Sequence, residues 1–221
     1  MMYKTITLEE VKQNSEVCSY VESGDDVLNV MGYTDHSAGH TSIVARDASR
    51  VLKAFGYDER TIELAKIAGY THDIGNTINR VGHAQTGALM MFSILSRMGM
   101  NPNEIAIITS SIGHHDEKDG LPVNPVSAAL IIGDKSDVRR SRVKNKDFQT
   151  FDIHDRVNYS VTSSEIEIIE KDINLKLEVD LSICSVAEYF EIFLARMVMS
   201  QKAANFLNAS FHLYINGTKL L

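Results

Sequence analysis

Apolar residues recur at three- and four-residue steps between about residues 37 and 142, and at two-residue steps from about residue 156 onward. The first period belongs to helices that bury one face, the second to strands. Val44, Ala48, Val51, Leu52 and Phe55 predict a first helix stopped by Gly56, because glycine tolerates the left-handed turn that ends a helix. Asp58 and Thr61 open a second, whose apolar face is Ile62, Ala65, Ile67 and Ala68 and whose end is Gly75-Asn76. A third runs from about His83 through Leu89, Phe92 and Leu95 to Gly99. Pro102 begins a fourth that ends at His114-His115, and Pro125 a fifth that leads through Ala128, Ile131 and Ile132 to Asp134. Proline suits a first turn, where its missing N–H would have had no helical partner.

Near Lys144 the period changes. Val157, Tyr159 and Val161, then Ile166 and Ile168, then Ile173, Leu175, Leu177, Val179 and Leu181 alternate with polar residues and predict strands across Arg156 to Leu181. A long helix from about Ser185 to Leu207 and a last strand through Phe211, Leu213 and Ile215 complete the pattern. The expected fold is mainly α. A helical domain over residues 1–145 precedes a small C-terminal α+β subdomain over residues 146–221, an antiparallel sheet crossed by one long helix. Exposed strand edges tend to pair, which makes a homodimer the expected assembly.

Composition narrows the function. With 221 residues, 44% of them hydrophobic, the chain is long enough to bury a sizeable core. A formal charge of -7 lacks the basic face that broad nucleic-acid binding requires, so an anionic substrate has to be attracted locally. No signal-like leader opens the sequence and no apolar run approaches the roughly 20 residues that cross a bilayer, so a cytoplasmic protein is expected. Cys18 and Cys184 lack CxxC spacing, and both are expected to be buried as small hydrophobes.

The chemistry lies in the histidines. Six of the eight (His36, His40, His72, His83, His114 and His115) fall between positions 36 and 115, and Asp73 and Asp134 accompany them, each at or near an expected helix end. Imidazole and carboxylate together suit iron, manganese, zinc, nickel or cobalt, and their number suits two divalent transition metal ions. His72-Asp73 closes an apolar helix, where a titratable pair would otherwise be buried at a cost. Successive helical residues diverge by roughly 100°, so His72 can hold one ion while the two oxygens of Asp73 reach a second. The plainer alternative is a buried imidazole–carboxylate hydrogen bond.

These residues carry a resemblance. "HTSIVARDASRVLKAFGY", "IAGYTHDIGN", "GHAQTGALM", "IGHHDEKDG" and "IIGDKSDVRR" resemble, in that order, the motifs of the HD superfamily of metal-dependent phosphohydrolases, over about residues 36–142. The closing strings are most similar to the HD-GYP branch, whose members hydrolyse cyclic di-GMP. The resemblance implies an HD-type helical bundle with His40, His72, Asp73 and Asp134 as the basic ligand set. It adds His83, His114 and His115 for a second metal and His36, one turn before His40, for a possible third. The chain departs from that branch in lacking the Gly-Tyr-Pro string, where Leu121-Pro122-Val123-Asn124-Pro125 stands, and in carrying Asn76 after "HDIG" where a lysine is usual. Its link from Asp73 to His83 is also short.

The reaction implied is hydrolysis of a nucleotide, cyclic dinucleotide or other small phosphoester by a metal-activated hydroxide. Asp73 and Asp134 would be its catalytic carboxylates, the first bridging the ions and the second holding one of them and steering water. Lys135, Arg139 and Arg140 follow Asp134 and are the expected phosphate contacts, with Arg142 and Lys118 as further ones. Two other classes stay open: an HD-fold di-iron oxygenase, which uses a similar donor set, and a non-catalytic metal- or ligand-binding regulatory protein.

Overall fold

The computed structural model describes residues 3–221. Two helices precede those expected from the periodicity. In α1 (Leu8–Gln13) Thr7 and Glu10 form a capping box, and in α2 (Ser15–Val30) the side chain of Asn14 accepts from the amides of Glu16 and Val17. Next come α3 (Ala38–Ala54) and α4 (Glu59–Thr71), capped by Ser37 and Asp58, and a 3-10 turn over Ile74–Thr77. The helices α5 (His83–Met98), α6 (Pro102–Gly113) and α7 (Pro125–Ser136) follow where the sequence places them. Every residue of α7 from Val126 to Ser136 is buried, so this helix is the axis around which the others pack.

Two expectations for the C-terminal part are corrected. The first strand does not start at Arg156: Ile153–Ser160 is a helix, α8, whose N-cap Asp152 accepts from the amide of Asp155. Val157 and Val161 are both buried and four residues apart, a spacing that alternation and a helical turn share. The sheet is mixed rather than antiparallel. β1 (Val161–Ile169) and β2 (Asp172–Val179) make an antiparallel hairpin, but β3 (Ser210–Ile215) runs parallel to β2, with Asp172 opposite Ser210 and Leu177 opposite Ile215. Between them α9 (Val186–Phe206) carries the chain back along the sheet, the helical crossover that a parallel pair needs. A short β4 (Thr218–Lys219) closes the edge.

The core is continuous from Ile6 to Ile215. Through Tyr189, Phe193 and Met197, all buried, α9 adds to it beside α7. Cys184 is buried as expected, whereas Cys18 is exposed. Among the described residues no helix is long and apolar enough to cross a membrane.

Helices α3 and α4 approach so closely at Gly69 that a Cβ there would lie 2.7 Å from the Cα of Ala45 and 2.8 Å from its amide nitrogen. Both neighbours are backbone and cannot turn aside, so the two helices would have to separate. Gly69→Ala is therefore expected to destabilise the fold by about 1–3 kcal/mol, measured by urea unfolding. Gly56→Ala, at a position open to solvent but with φ +74°, should be costly through its backbone alone and leave the α3–α4 spacing intact.

Candidate metal centre

Five imidazoles converge on one buried space between α3, α4, α5, α6 and α7. In each of them Nδ1 faces an acceptor. His40 Nδ1 donates to Asp137 Oδ2 at 2.7 Å, His72 to the Gly69 carbonyl at 2.8 Å, His83 to that of Arg80 at 3.0 Å and His115 to that of Ile112 at 2.6 Å. His36 donates to the Thr34 carbonyl at 2.6 Å. A carbonyl or carboxylate can only accept, so Nδ1 carries the proton and Nε2 of each neutral ring is a bare lone pair.

At His40 and His72 those lone pairs meet carboxylates rather than donors. His72 Nε2 is 3.0 Å from Asp73 Oδ2 and 3.6 Å from Asp134 Oδ1; His40 Nε2 is 3.8 Å and 3.4 Å from the same atoms. Nε2 of His40 and of His72 are buried without a hydrogen-bond partner. Ligand atoms about 2.1 Å from a shared ion stand roughly 3.0–3.5 Å apart, and the separations here, 3.0 to 3.8 Å, lie in or just beyond that range. His40, His72, Asp73 and Asp134 thus can hold a metal ion. Asp73 turns its other oxygen, Oδ1, toward His83 Nε2 at 3.3 Å and His115 Nε2 at 3.8 Å, and these two nitrogens are 3.1 Å from one another. Two lone pairs at that distance call for a cation near them.

The electrostatics agree. Burial disfavours a charged His72, yet the carboxylates of Asp73 and Asp134 outweigh it and push the imidazole up to about 10, so positive charge is favoured at this spot. Burial, with His115 and Arg80 nearby, holds His83 down at about 4 and keeps its lone pair free of protons. His36 is likewise held well below its ordinary value, chiefly by burial. Burial works against the charged forms of Asp73 and Asp134 too, but His72 beside the first and Lys135 beside the second keep both ionised.

Of the expected residues, His40, His72, Asp73, His83, His115 and Asp134 come together, and His36 lines the same pocket, its ring 5.5 Å from that of His40. His114 does not join them: as the C-cap of α6 it turns away while His115 turns in, as adjacent residues on a helix end must. Lys135 reaches the pocket wall, its Nζ 2.7 Å from Asp134 Oδ2 and 2.6 Å from Glu117 Oε2. Arg139 and Arg140 do not line it. Arg139 binds the Asp137 carboxylate at 2.6 Å, and Arg140 lies over the Tyr159 ring at 4.5 Å. Arg142 does line the pocket, but it is a strut, donating to the carbonyls of Asp35 and Asp137. Lys118 stays in the loop beyond, where its amide binds Asp116.

Several residues outside the expected ligand and phosphate-contact set also shape the site. Asn76 donates at 2.8 Å to Asp73 Oδ1 and at 2.9 Å to the Asp73 carbonyl, so it orients that carboxylate. Arg80 lies 3.3 Å from His83 Nε2 and 3.8 Å from Asp73 Oδ1. Arg196, from α9, reaches Glu117 at 3.3 Å and lines the pocket. Asp137 was findable: it follows Asp134 by one helical step of three and so shares its side of the chain.

No family model matches the sequence. The chain is similar to the uncharacterized protein MJ1020 of Methanocaldococcus jannaschii, with 23% identity over 184 residues that cover 73% of this chain and 69% of that protein.

The neighbouring histidines allow a direct check. His115→Ala should lower the metal content of purified protein while His114→Ala leaves it unchanged, as read by elemental analysis. Asp137→Ala frees the His40 ring to rotate and change tautomer, and should weaken metal affinity by about 10–100-fold in a chelator-competition titration.

Proposed function

We propose that this chain is a metal-dependent phosphohydrolase of the HD superfamily, acting on a small phosphoester such as a nucleotide. The observation that carries the reading is a closed ring of bare imidazole nitrogens and ionised carboxylates set against a cationic wall of Arg80, Lys135 and Arg196. Hydrolysis of a phosphoester asks for both parts, since an anion has to be seated beside an activated water. Divalent ions held there supply Lewis acidity toward phosphate oxygens and a bound water that ionises near neutral pH.

The protein's own groups have separable roles. His40, His72, Asp73 and Asp134 form the first position, and His83 and His115 with the second oxygen of Asp73 form the other. Lys135 binds the outer oxygen of Asp134 and leaves Oδ1 facing the histidines. Arg80 and Arg196 replace Arg139 and Arg140 as the proposed phosphate contacts, because they reach the pocket and the others do not. A guanidinium matches two phosphate oxygens with parallel donors.

One contact favours a variant of this reading. Arg80 lies against His83 Nε2 and Asp73 Oδ1, where its positive charge can serve in place of a second ion. A dinuclear centre requires Arg80 to swing toward substrate; a mononuclear one keeps it in place.

Protein loaded with manganese, nickel, cobalt or iron and screened without oxygen against nucleotides, cyclic dinucleotides and simple phosphoesters should release phosphate or a phosphomonoester. Chelation should abolish the turnover. Absence of turnover across the panel with metal demonstrably bound would sink the hydrolase reading, and oxygen consumption would replace it with an oxygenase. Two ions per chain in the wild type support the dinuclear centre. One ion, rising to two in Arg80→Ala, supports the variant. With a substrate in hand, Arg196→Ala should reduce kcat/KM by about 10–100-fold, mainly through KM, with metal content unchanged.

A further inference from the structure

Helix α9 buries one side and leaves the other bare. Tyr189, Phe193, Met197, Ala203 and Ala204 face the core, while Ala187, Glu191, Ala195, Val198, Lys202 and Phe206 form an exposed stripe. Leu194 flanks it with 53% of its surface exposed, and Val198 and Phe206 are 42% and 41% exposed. Residues three, four and seven apart on a helix share a face, so the stripe runs the full length of α9. Large apolar side chains on such a row are usually covered.

The order of residues along the stripe indicates what covers it. About the point midway between Arg196 and Met197, Glu191 mirrors Lys202, Ala195 mirrors Val198 and Ala187 mirrors Phe206. A helix with this arrangement is complementary to itself when turned end over end. Two copies of α9 packed antiparallel about a two-fold axis would set Glu191 against the partner's Lys202, and the reverse pair at the other end. At the centre and at the two ends a small Ala would face a larger Val or Phe, the alternation that lets two surfaces interdigitate. A two-fold interface demands this self-complementarity, because both partners use one patch. Each copy carries a net charge of -7, so close approach is opposed over most of the surface, whereas the charges within this stripe cancel.

We propose that the exposed stripe of α9 is the interface through which two copies of this chain form an antiparallel, two-fold dimer. The same groove is lined by Glu117 and Gly120. The loop that delivers Glu117 to Lys135 and Arg196 therefore lies at the margin of the interface, and dimer formation restricts it.

The test uses the full chain in sedimentation-velocity and light-scattering measurements over a dilution series. The wild type should be dimeric. Glu191→Lys and Lys202→Glu, singly, would each bring like charges together at both ends of the interface and should raise the dimer Kd by more than about tenfold. The double variant E191K/K202E should recover the wild-type Kd, a result that non-specific damage to α9 would not produce. Val198→Asp should leave a folded monomer, its fold verified by circular dichroism and thermal melting. A wild type that stays monomeric at its highest soluble concentration, a dimer indifferent to the single charge reversals, or a double variant that fails to recover would each overturn the proposal.

Discussion

The constraint on which the rest of this structure depends is a cluster of buried imidazoles and carboxylates with too few donors among them, the Nε2 atoms of His40 and His72 having no hydrogen-bond partner. Left alone it is costly: lone pairs on His40, His72, His83 and His115 and the carboxylates of Asp73 and Asp134 occupy one water-poor space. A cation would resolve the conflict, and the buried His and Asp groups could hold one. The recurring device is local. His72, His83 and His115 each donate Nδ1–H to the carbonyl three residues earlier, those of Gly69, Arg80 and Ile112. Such carbonyls become available where a helix stops or before one starts, because there the backbone lacks its next helical donor. The ligands sit at helix ends for that reason: the end supplies both the orienting acceptor and a side chain no longer committed to the helix surface.

Charge in the site is balanced in layers. Asp73 and Asp134 are both kept ionised despite burial, which places two negative charges at the centre of the site. Around it stand Lys135, Arg80 and Arg142, with Glu117 and Asp137 as counter-charges beyond. Burial disfavours an ionised Glu117, but Lys135 and Arg196 hold its carboxyl well below the ordinary range. That carboxylate therefore occupies the place between two cations where an anionic group would be received. On the proposed function, a substrate phosphate would compete with Glu117 for Lys135 and Arg196.

Much of this could be read before the structure, and the limits have identifiable causes. The helices from Ala38 to Ser136 were legible because apolar residues recur at helical spacing and because polar caps, glycines or prolines mark most of their ends. The His and Asp residues that converge in the pocket were legible because titratable residues interrupt apolar runs there. Parity could not decide between His114 and His115, since the choice depends on how many residues the last turn of α6 retains. The strand expected at Arg156 failed because Val157 and Val161 satisfy both periods, and the cap at Asp152 decides for helix. The parallel register of β3 is a property of where α9 delivers the chain, which no local pattern encodes. Arg139 and Arg140 are near Asp134 in sequence, but the chain leaves α7 at Ser136 and carries them to Asp137 and Tyr159. Arg80 and Arg196 reach the pocket from a loop and from the far end of the chain, so proximity in sequence to Asp134 could not point to them.

The last of these matters for how the C-terminal segment is understood. Periodicity divides the chain near Lys144, yet α9 lies on α7, the helix that ends in Asp134 and Lys135, and its Arg196 contacts Glu117 in the loop after His115. The guanidinium of Arg196 also lies over the Phe193 ring at 4.6 Å, a cation–π contact that helps to hold it in place. Any shift of α9 along α7 would move that guanidinium relative to Lys135 and Asp134. The cationic wall of the pocket is thus set by the packing of α9, and the segment beyond Lys144 belongs to the site as much as the helices that carry the ligands.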